Sequence, residues 1–284
     1  MAKYLRTVEH RFAHADGRPD DALNAAQRGS PETQHLRWMY EHHCTPLISN
    51  GVTKVNVVFT AEELNREPAE VLGIATVYER FDGPAFNSLE PKARPYYFLE
   101  RLHGAMLRYA RQFNWDTAAL EATRSKMIAM DFHFSYYWKK AIADPKRRIK
   151  AQPLIDASSF PTHLHLVFFD LQMNELRRVL LSVGVDGPGA VKFAFGGIEW
   201  LDSNTVRVCH ENGRDFWLCS TEGHLEFCYP RADSGDPHGQ YELGRMYYVG
   251  QWVLPDRERG LKLIRASADQ GFKHAINFIG QVAN

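Results

Sequence analysis

Two histidines at alternate positions, His163 and His165, have the residue type and spacing that come nearest to metal chemistry in this chain. The surrounding stretch "HLHLVFFD" alternates polar and apolar residues, which predicts a β-strand with both imidazoles on one face. Two imidazoles on one face can begin a zinc site, and His133 in "DFHF" could supply a third ligand if its strand is adjacent. Because histidines are scattered through the whole chain, we expect this pair to face solvent and to hold no metal.

No other arrangement of residues predicts catalysis. The sequence lacks the G-x-S-x-G, H-E-x-x-H, P-loop and G-x-G-x-x-G motifs. His210 and Asp215 face each other across a predicted hairpin, but no nucleophile accompanies them. The two glycines of "FGGIEW" lie within a strand pattern, where a bulge or a tight bend explains them. We therefore expect no enzymatic activity, no catalytic residues and no cofactor.

The charge of the chain argues against a nucleic-acid partner. Its 34 basic and 34 acidic residues balance, whereas proteins that neutralise phosphates are usually basic over at least one domain. The aromatic and basic residues of "FHFSYYWKK", residues 132–140, could stack on a nucleic-acid strand. They equally form a half-buried sheet surface, and the neutral charge favours that interpretation.

The sequence predicts a cytoplasmic protein without a membrane partner. The N-terminus carries no apolar segment of a secretory signal, and no run approaches the roughly 18 apolar residues of a membrane span. The four cysteines match no zinc or redox spacing, so we expect free thiols. They are Cys44, Cys209, Cys219 and Cys228.

The elements that must position these residues begin with a mixed region, residues 1–130, in which strand and helix signals alternate. The stretch "VTKVNVVFTA" predicts a half-buried strand with Val55, Val57 and Phe59 on one side. Residues 71–81, "VLGIATVYERF", predict the strand that pairs with it.

Capping residues and periodicity predict three helices in this region. Ser30 and Pro31 predict the N-cap and first residue of one helix, and Asp116 predicts the N-cap of another. Between them lies the clearest helix of the chain, with an apolar stripe at steps of three and four. The stripe consists of Leu99, Leu102, Met106, Tyr109 and Phe113.

Residues 131–229 predict an antiparallel β meander, because short strand patterns there are separated by turn residues. The patterns cover residues 132–140, 163–170, 175–183, 191–201, 204–209, 215–219 and 224–229.

The sharpest turn signal of the meander is Asn212-Gly213, which predicts a type I′ hairpin with positive φ at both residues. The register that follows pairs Val208 with Trp217. It also pairs Val206 with Cys219, and so places Cys209 and Cys219 on opposite faces of the hairpin.

The end of the chain contains an internal repeat. The stretch "GDPHGQYELG" (235–244) aligns on "GFKHAINFIG" (271–280) at an offset of 36 residues, with glycine, histidine, small and aliphatic positions in register. Such a period, with small residues at fixed places, is typical of helical-hairpin solenoids. The intervening "VLPDRERGLKLIRASADQG" supplies the second helix.

These residues resemble the Sel1-like repeat, a relative of the tetratricopeptide repeat. The resemblance covers about residues 234–284 and departs from the pattern at Trp252, Pro255 and Gly260. It implies one unit and the first helix of a second, where about three units normally make an independent solenoid. The positions that carry it are Gly235, Asp236, Gln240, Tyr241, Leu243, Gly244, Met246, Tyr247, Gly250, Val253, Asp256, Ala266, Ala268, Gln270 and Gly271.

Together these patterns predict an α+β protein. Its body covers residues 1–233 and consists of the mixed helix/strand part, 1–130, and the β meander, 131–229. A Sel1-like helical hairpin at 234–284 packs on this body, since so short a repeat leaves an apolar face uncovered.

A second resemblance concerns about residues 95–220. The stretches "RRIKAQPLIDASSFPTHLHLVFFDLQMNELRRVLLSVG" and "GGIEWLDSNTVRV" are similar to bacterial proteins often encoded beside secreted polymorphic toxins and regarded as their immunity proteins. The resemblance implies a cytoplasmic protein that binds a cognate toxin domain and neutralises it by occlusion in a 1:1 complex.

Helical repeats generally bind proteins, and tight complexes depend on a few aromatic and arginine anchors. We therefore expect the partner-binding residues to be Arg245, Tyr248 and Trp252, which lie on the repeat outside its core positions. Two alternatives stay open. One is a metal-assisted hydrolase that uses His163 and His165, and the other is a signalling scaffold unrelated to toxins.

Overall fold

The computed structural model describes residues 4–13, 31–44, 47–62, 64, 66–158, 162–184 and 187–282. The chain divides into two units, Met1–Phe134 and Ser135–Asn284. Helices and mostly antiparallel sheets together confirm the α+β class predicted from the sequence. None of the described helices has the length and apolar character needed to cross a membrane.

The first unit carries a four-stranded sheet in the order β1-β2-β4-β3, with helices that follow the strands in sequence. The described elements are β1 (Thr7–Phe12), α1 (Pro31–Cys44), β2 (Lys54–Thr60), β3 (Ala69–Val71), β4 (Ile74–Arg80), α2 (Gly83–Ser88), α3 (Arg94–Gln112) and α4 (Thr117–Ala129).

The predicted pairing of the two strands in this unit is confirmed, and the strands run parallel. Val55 of β2 lies opposite Ala75 of β4, and Val57 lies opposite Val77. Both β2 valines are fully buried, and so is Val58, which follows Val57 and has its side chain on the opposite face. Burial on both faces is typical of strands in parallel sheets. The short strand β3 pairs antiparallel with only the first three residues of β4.

The helix signals of this unit are also confirmed. Helix α1 begins at Pro31, while its predicted cap Ser30 lies outside the described residues. The stripe of α3 is buried from Leu99 to Tyr109. The Asp116 carboxylate accepts hydrogen bonds from the first backbone amides of α4, with an Oδ1 to Ala118 N distance of 2.9 Å.

The second unit contains two antiparallel sheets and a C-terminal group of helices. One sheet has the order β5-β7-β8-β9, with β6 also pairing β7, and the other has the order β10-β11-β12-β13. The described elements are β5 (Ser135–Tyr137), β6 (Ile142–Ala143), β7 (Lys150–Asp156), β8 (His163–Phe169), β9 (Glu175–Val183), α5 (Gly187–Ala194), β10 (Gly197–Trp200), β11 (Thr205–Cys209), β12 (Phe216–Ser220), β13 (Leu225–Cys228), α6 (Pro230–Asp233), α7 (Pro237–Val249), α8 (Arg257–Asp269) and α9 (Lys273–Val282).

The hairpin register predicted from Asn212-Gly213 is confirmed, but the turn type is wrong. Val208 pairs with Trp217 as predicted. Only Gly213 has a positive φ, of 66°, and its amide donates to His210 O. The Asn212 Oδ1 atom accepts from the amides of Arg214 and Asp215, so the side chain supplies turn hydrogen bonds that a type I′ backbone does not need.

The predicted strand over residues 191–201 is half helix. Helix α5 ends at Ala194, and β10 begins at Gly197. The run "VKFAF" fits a strand period, but the buried residues Val191, Ala194 and Phe195 also follow helical spacing. A short apolar run does not distinguish the two structures by periodicity.

The predicted meander does not include β7, a strand that contains Pro153, a residue uncommon inside sheets. The Trp138 amide donates to Pro153 O. Since the amide nitrogen and carbonyl of a strand residue point to the same side, the missing N–H faces the Trp138 segment and the ladder to β8 is intact.

Candidate protein-binding face

The crossing of α7 and α8 depends on two glycines. A Cβ added to Gly244 would lie 2.8 Å from Gly260 O, and one added to Gly260 would lie 2.7 Å from Gly244 O. The two helix backbones therefore touch at this point, where a side chain would separate them. Gly260, a departure from the repeat pattern, is thus the counterpart of Gly244 at the crossing.

Carboxylates and a left-handed glycine set the ends of these helices. Asp236 Oδ1 accepts from Gly239 N at 2.7 Å, and Asp256 Oδ1 accepts from Arg259 N at 2.9 Å. Gly250 ends α7 with a φ of 74°. The glycines aligned at the 36-residue offset, Gly235 and Gly271, have φ values of 83° and 82°. Equivalent positions of the sequence repeat therefore have the same backbone conformation.

Helices α7 and α9 bring four rings together on one side. The ring centroids of Tyr248 and Phe278 are 5.2 Å apart at a right angle. Tyr241 lies 6.4 Å from Phe278 and 6.2 Å from His274. Tyr241 and Tyr248 are two turns apart on α7, and His274 and Phe278 are one turn apart on α9, so each helix contributes a single face.

Arginines flank these rings. The Arg245 guanidinium lies 5.9 Å from the Tyr241 ring centroid, and the Arg257 guanidinium lies 5.4 Å from that of Tyr248. Arg245 is exposed, and both tyrosines are half-buried. We define the α7–α9 face by the five residues Tyr241, Arg245, Tyr248, His274 and Phe278. Tyrosine and arginine dominate the binding energy of many protein interfaces.

The structure brings together two of the three predicted partner-binding residues. Arg245 and Tyr248 both belong to the α7–α9 face. Trp252 lies beyond the end of α7 with a φ of 66°, and its ring is 5.4 Å from Phe193 and 5.8 Å from His210. Its half-buried side chain therefore packs against α5 and the β11–β12 turn.

Sequence reasoning missed three members of the face: Tyr241, His274 and Phe278. Tyr241 and His274 were recognised only as repeat positions. The spacing of Tyr241, Arg245 and Tyr248 could have identified Tyr241 as a member of the face, because steps of four and three place the three residues on one side of a helix. The approach of α9 to this face could not be read from local spacing.

The histidine pair lies on β8 as predicted, with Leu164, Leu166 and Phe168 buried on the opposite side. The ring centroids of His163 and His165 are 6.2 Å apart, and both residues are half-buried. Desolvation and the nearby Arg178 charge lower the pKa of His165. Among the residues that the structure describes, no three histidine, cysteine or acidic side chains are grouped to hold a metal ion.

His210 and Asp215 meet through the backbone. The His210 amide donates to Asp215 O at 2.8 Å, while the Asp215 carboxylate accepts from the Asn212 side chain. The His210 imidazole is buried 4.6 Å from the Trp217 ring, and burial lowers its pKa to about 4. The ring is therefore a neutral core group at physiological pH.

The four cysteines are free thiols. Burial raises the pKa of both Cys44 and Cys219 to about 12, so neither forms a thiolate at neutral pH.

Comparison of the chain with protein-family models, curated proteins and solved structures found no match.

Proposed function

We propose that this chain is a binding protein that neutralises a bacterial toxin domain by occlusion, with the α7–α9 face as the central contact. The observation that carries the proposal is the clustering of Tyr241, Tyr248 and Phe278 beside the exposed Arg245. Ring-to-ring contacts hold these side chains in place before binding, which reduces the entropy lost on association.

The surroundings of the face favour a protein partner over a small ligand. Val249 continues the row of Arg245 one turn along α7 and is 57 % exposed. Val282 continues the row of Phe278 on α9 and is 41 % exposed. Apolar residues beside an aromatic and arginine cluster form a broad surface, which suits a contact of roughly 800 Å² per partner.

The partner class rests on the resemblances. The 36-residue period and the matching glycine conformations support a Sel1-like hairpin, a type of repeat that generally binds proteins. The similarity of residues 95–220 to immunity proteins supports a toxin domain as the partner. A 1:1 complex that covers the active site of the toxin requires no catalysis by this chain.

The test is co-expression with toxin domains from the same locus, scored by cell survival and by binding of the purified proteins. Tyr248→Ala and Arg245→Ala should each weaken binding by about 2 kcal/mol, because buried aromatic and arginine anchors typically contribute that much. Arg265→Ala is the matched control, since Arg265 is exposed on α8, outside the α7–α9 face. Equal effects of Arg245→Ala and Arg265→Ala would contradict the assignment of the face.

Trp252→Ala separates packing from binding in the same experiment. The contacts of Trp252 with Phe193 and His210 lead us to expect a lower free energy of unfolding. If no strain that co-expresses this chain with a toxin domain survives, toxin neutralisation is contradicted. If a partner other than a toxin then bound through Tyr248, the scaffold alternative would take its place.

A further inference from the structure

A cavity of about 960 Å³ opens in the first unit, at the carboxyl end of β4. It forms because β3 pairs only as far as Thr76, which leaves Val77–Arg80 without a described strand on that side. Helix α3 and residues 64 and 66–68, which precede β3, supply most of the remaining walls. The residues on which the argument depends are Arg66, Tyr78, Glu79, Arg80, Arg101 and Arg108.

Helix α3 turns a polar stripe toward this cavity. Tyr97, Arg101 and Arg108 follow one another at steps of four and seven, beside the buried apolar stripe of the same helix. Arg108 Nη2 donates to the Tyr78 carbonyl at 2.5 Å, so the guanidinium takes the place of a neighbouring strand at the free edge of β4.

A buried carboxylate lies at the base of this arrangement. Glu79 is 8 % exposed and follows Ala75 and Val77 on the buried face of β4. Arg101 Nη1 lies 3.6 Å from its Oε1, and Arg108 Nη2 lies 2.7 Å from its Oε2. The Oε2 contact lacks hydrogen-bond geometry, so this buried oxygen has no hydrogen-bond donor among the described residues.

The charge of the lining is positive. Four arginines line the cavity against three carboxylates, which leaves one positive charge. One of the carboxylates, Asp82, accepts from Ala85 N as the N-cap of α2. Arg80 is exposed at the end of β4 and forms no ion pair within the described ranges. An anion would therefore be attracted to this cavity.

Two of the arginines lie within cation–π distance of tyrosine rings. The Arg101 guanidinium lies 5.3 Å from the Tyr97 ring centroid, and that of Arg66 lies 5.2 Å from the Tyr78 ring centroid. These contacts hold the guanidinium groups near the rings, so less side-chain entropy is lost when they bind an oxyanion. Planar guanidinium groups bind phosphate oxygens in pairs of parallel hydrogen bonds.

We propose that this cavity binds a phosphorylated sugar, either free or as the sugar-phosphate part of a nucleotide. The arginines, with Arg80 at the rim, bind the phosphate. Glu79 Oε2, which has an ion pair with Arg108 but no hydrogen bond from another described residue, accepts a hydrogen bond from a sugar hydroxyl. The volume is at the upper end of the range of small-molecule sites, about 300–1,000 Å³. This site lies in a different unit from the α7–α9 face, and its proposal does not rest on the proposed toxin binding.

The test is calorimetric titration of the full chain with ribose 5-phosphate, AMP, ribose and inorganic phosphate. We expect saturable binding of ribose 5-phosphate or AMP, and weaker binding of ribose and of inorganic phosphate. Binding of ribose 5-phosphate would identify a free sugar phosphate, whereas binding of AMP alone would identify a nucleotide. No saturable binding of either compound at millimolar concentration would overturn the proposal, as would inorganic phosphate binding as tightly as both.

Two variants assign the contacts. Arg80→Ala should reduce the affinity about tenfold or more without changing the melting temperature, because Arg80 is exposed and forms no ion pair with another described residue. Arg111→Ala, an exposed position of α3 outside the cavity lining, is the control and should leave the affinity unchanged.

Glu79→Gln should retain phosphate binding but reduce the preference for ribose 5-phosphate over inorganic phosphate, because the amide is a weaker acceptor for the hydroxyl. Circular dichroism verifies that each variant is folded. An unchanged affinity of Arg80→Ala for ribose 5-phosphate and AMP would overturn the assignment.

Discussion

His210 shows how a single buried side chain can couple stability to pH. It is 2 % exposed, its Nε2 atom has no hydrogen-bond partner among the described residues, and its ring contacts those of Trp217 and Phe227. Protonation would place an uncompensated charge among these rings. Burial therefore lowers its pKa from 6.5 to about 4.

The change of stability with pH follows from that shift. Between pH 6.5 and pH 4 the unfolded chain binds the proton of His210 and the folded chain does not, so stability falls as the pH falls through this range. We expect His210→Phe to reduce that loss by up to about 3 kcal/mol. Chemical denaturation of both proteins at the two ends of the range measures the difference. Parallel pH dependences of the two proteins would contradict the prediction.

The histidines of β8 give a second prediction at this scale. His163 and His165 are half-buried on one strand face, and within the described part of the chain no third ligand joins them. We expect purified protein to carry no stoichiometric zinc, and the double change to alanine to leave the melting temperature nearly unchanged. Elemental analysis and thermal unfolding are the measurements. One tightly held metal ion per chain would instead favour the metal-assisted hydrolase.

At the scale of the element, the α7–α8 hairpin depends on the contact of two backbones. A Cβ at Gly244 would lie 2.7 Å from Ile264 Cγ1 and 2.8 Å from Gly260 O. Carbon atoms do not approach backbone atoms this closely, so Gly244→Ala forces the helices apart. We expect a loss of about 1–3 kcal/mol in the free energy of unfolding, as for other overpacked positions.

The repeat itself supplies the control for this prediction. Gly280 aligns with Gly244 at the 36-residue offset, but a Cβ there would meet no atom within 4 Å. Gly280→Ala should therefore be neutral or stabilise α9 by roughly 0.5–1 kcal/mol, the difference between glycine and alanine in a helix. Equal destabilisation by the two changes, measured by denaturant unfolding, would show that the crossing does not depend on Gly244.

At the scale of the whole molecule, the C-terminal helices belong to the second unit rather than forming one of their own. Trp252, in the loop between α7 and α8, connects them to α5 through Phe193 and to the β11–β12 turn through His210, and the next residue, Val253, is buried. Helices α7 to α9 comprise one and a half hairpins, fewer than the roughly three repeats that stabilise a solenoid alone.

We therefore expect a fragment of residues 234–284 to lack a cooperative helical fold. Circular dichroism during thermal unfolding is the measurement, because a folded hairpin would show a sigmoidal loss of helix. A chain that ends before residue 234 should in turn be less soluble than the full chain, since the surface under Trp252 becomes exposed. A stable, fully helical fragment would contradict the dependence on the sheet.

The sequence by itself determined the features that depend on residues close together in the chain: a helix start, a buried helix face and the register of a hairpin. Asp116 indicated a helix start, the stripe of α3 indicated its buried face, and the pairing of Val208 with Trp217 followed from a turn between them. In each case the signal and the structure lie within one element or one hairpin. The 36-residue offset aligned Gly235 with Gly271, and the structure gives these two residues φ values of 83° and 82°.

The tertiary structure alone decided the features that depend on contacts between distant parts of the chain. The run "VKFAF", residues 191–195, fitted both the strand period and the helix period. In the structure its first four residues end α5, and Phe195 follows the helix. The sequence predicted Trp252 as a partner-binding residue together with Arg245 and Tyr248. Only the structure shows that its ring packs against Phe193 of α5. Glu79 and Arg108 are 29 residues apart and meet only because α3 lies against β4. Spacing along one element defines which residues share a face, whereas the partner of that face is set by how the elements pack.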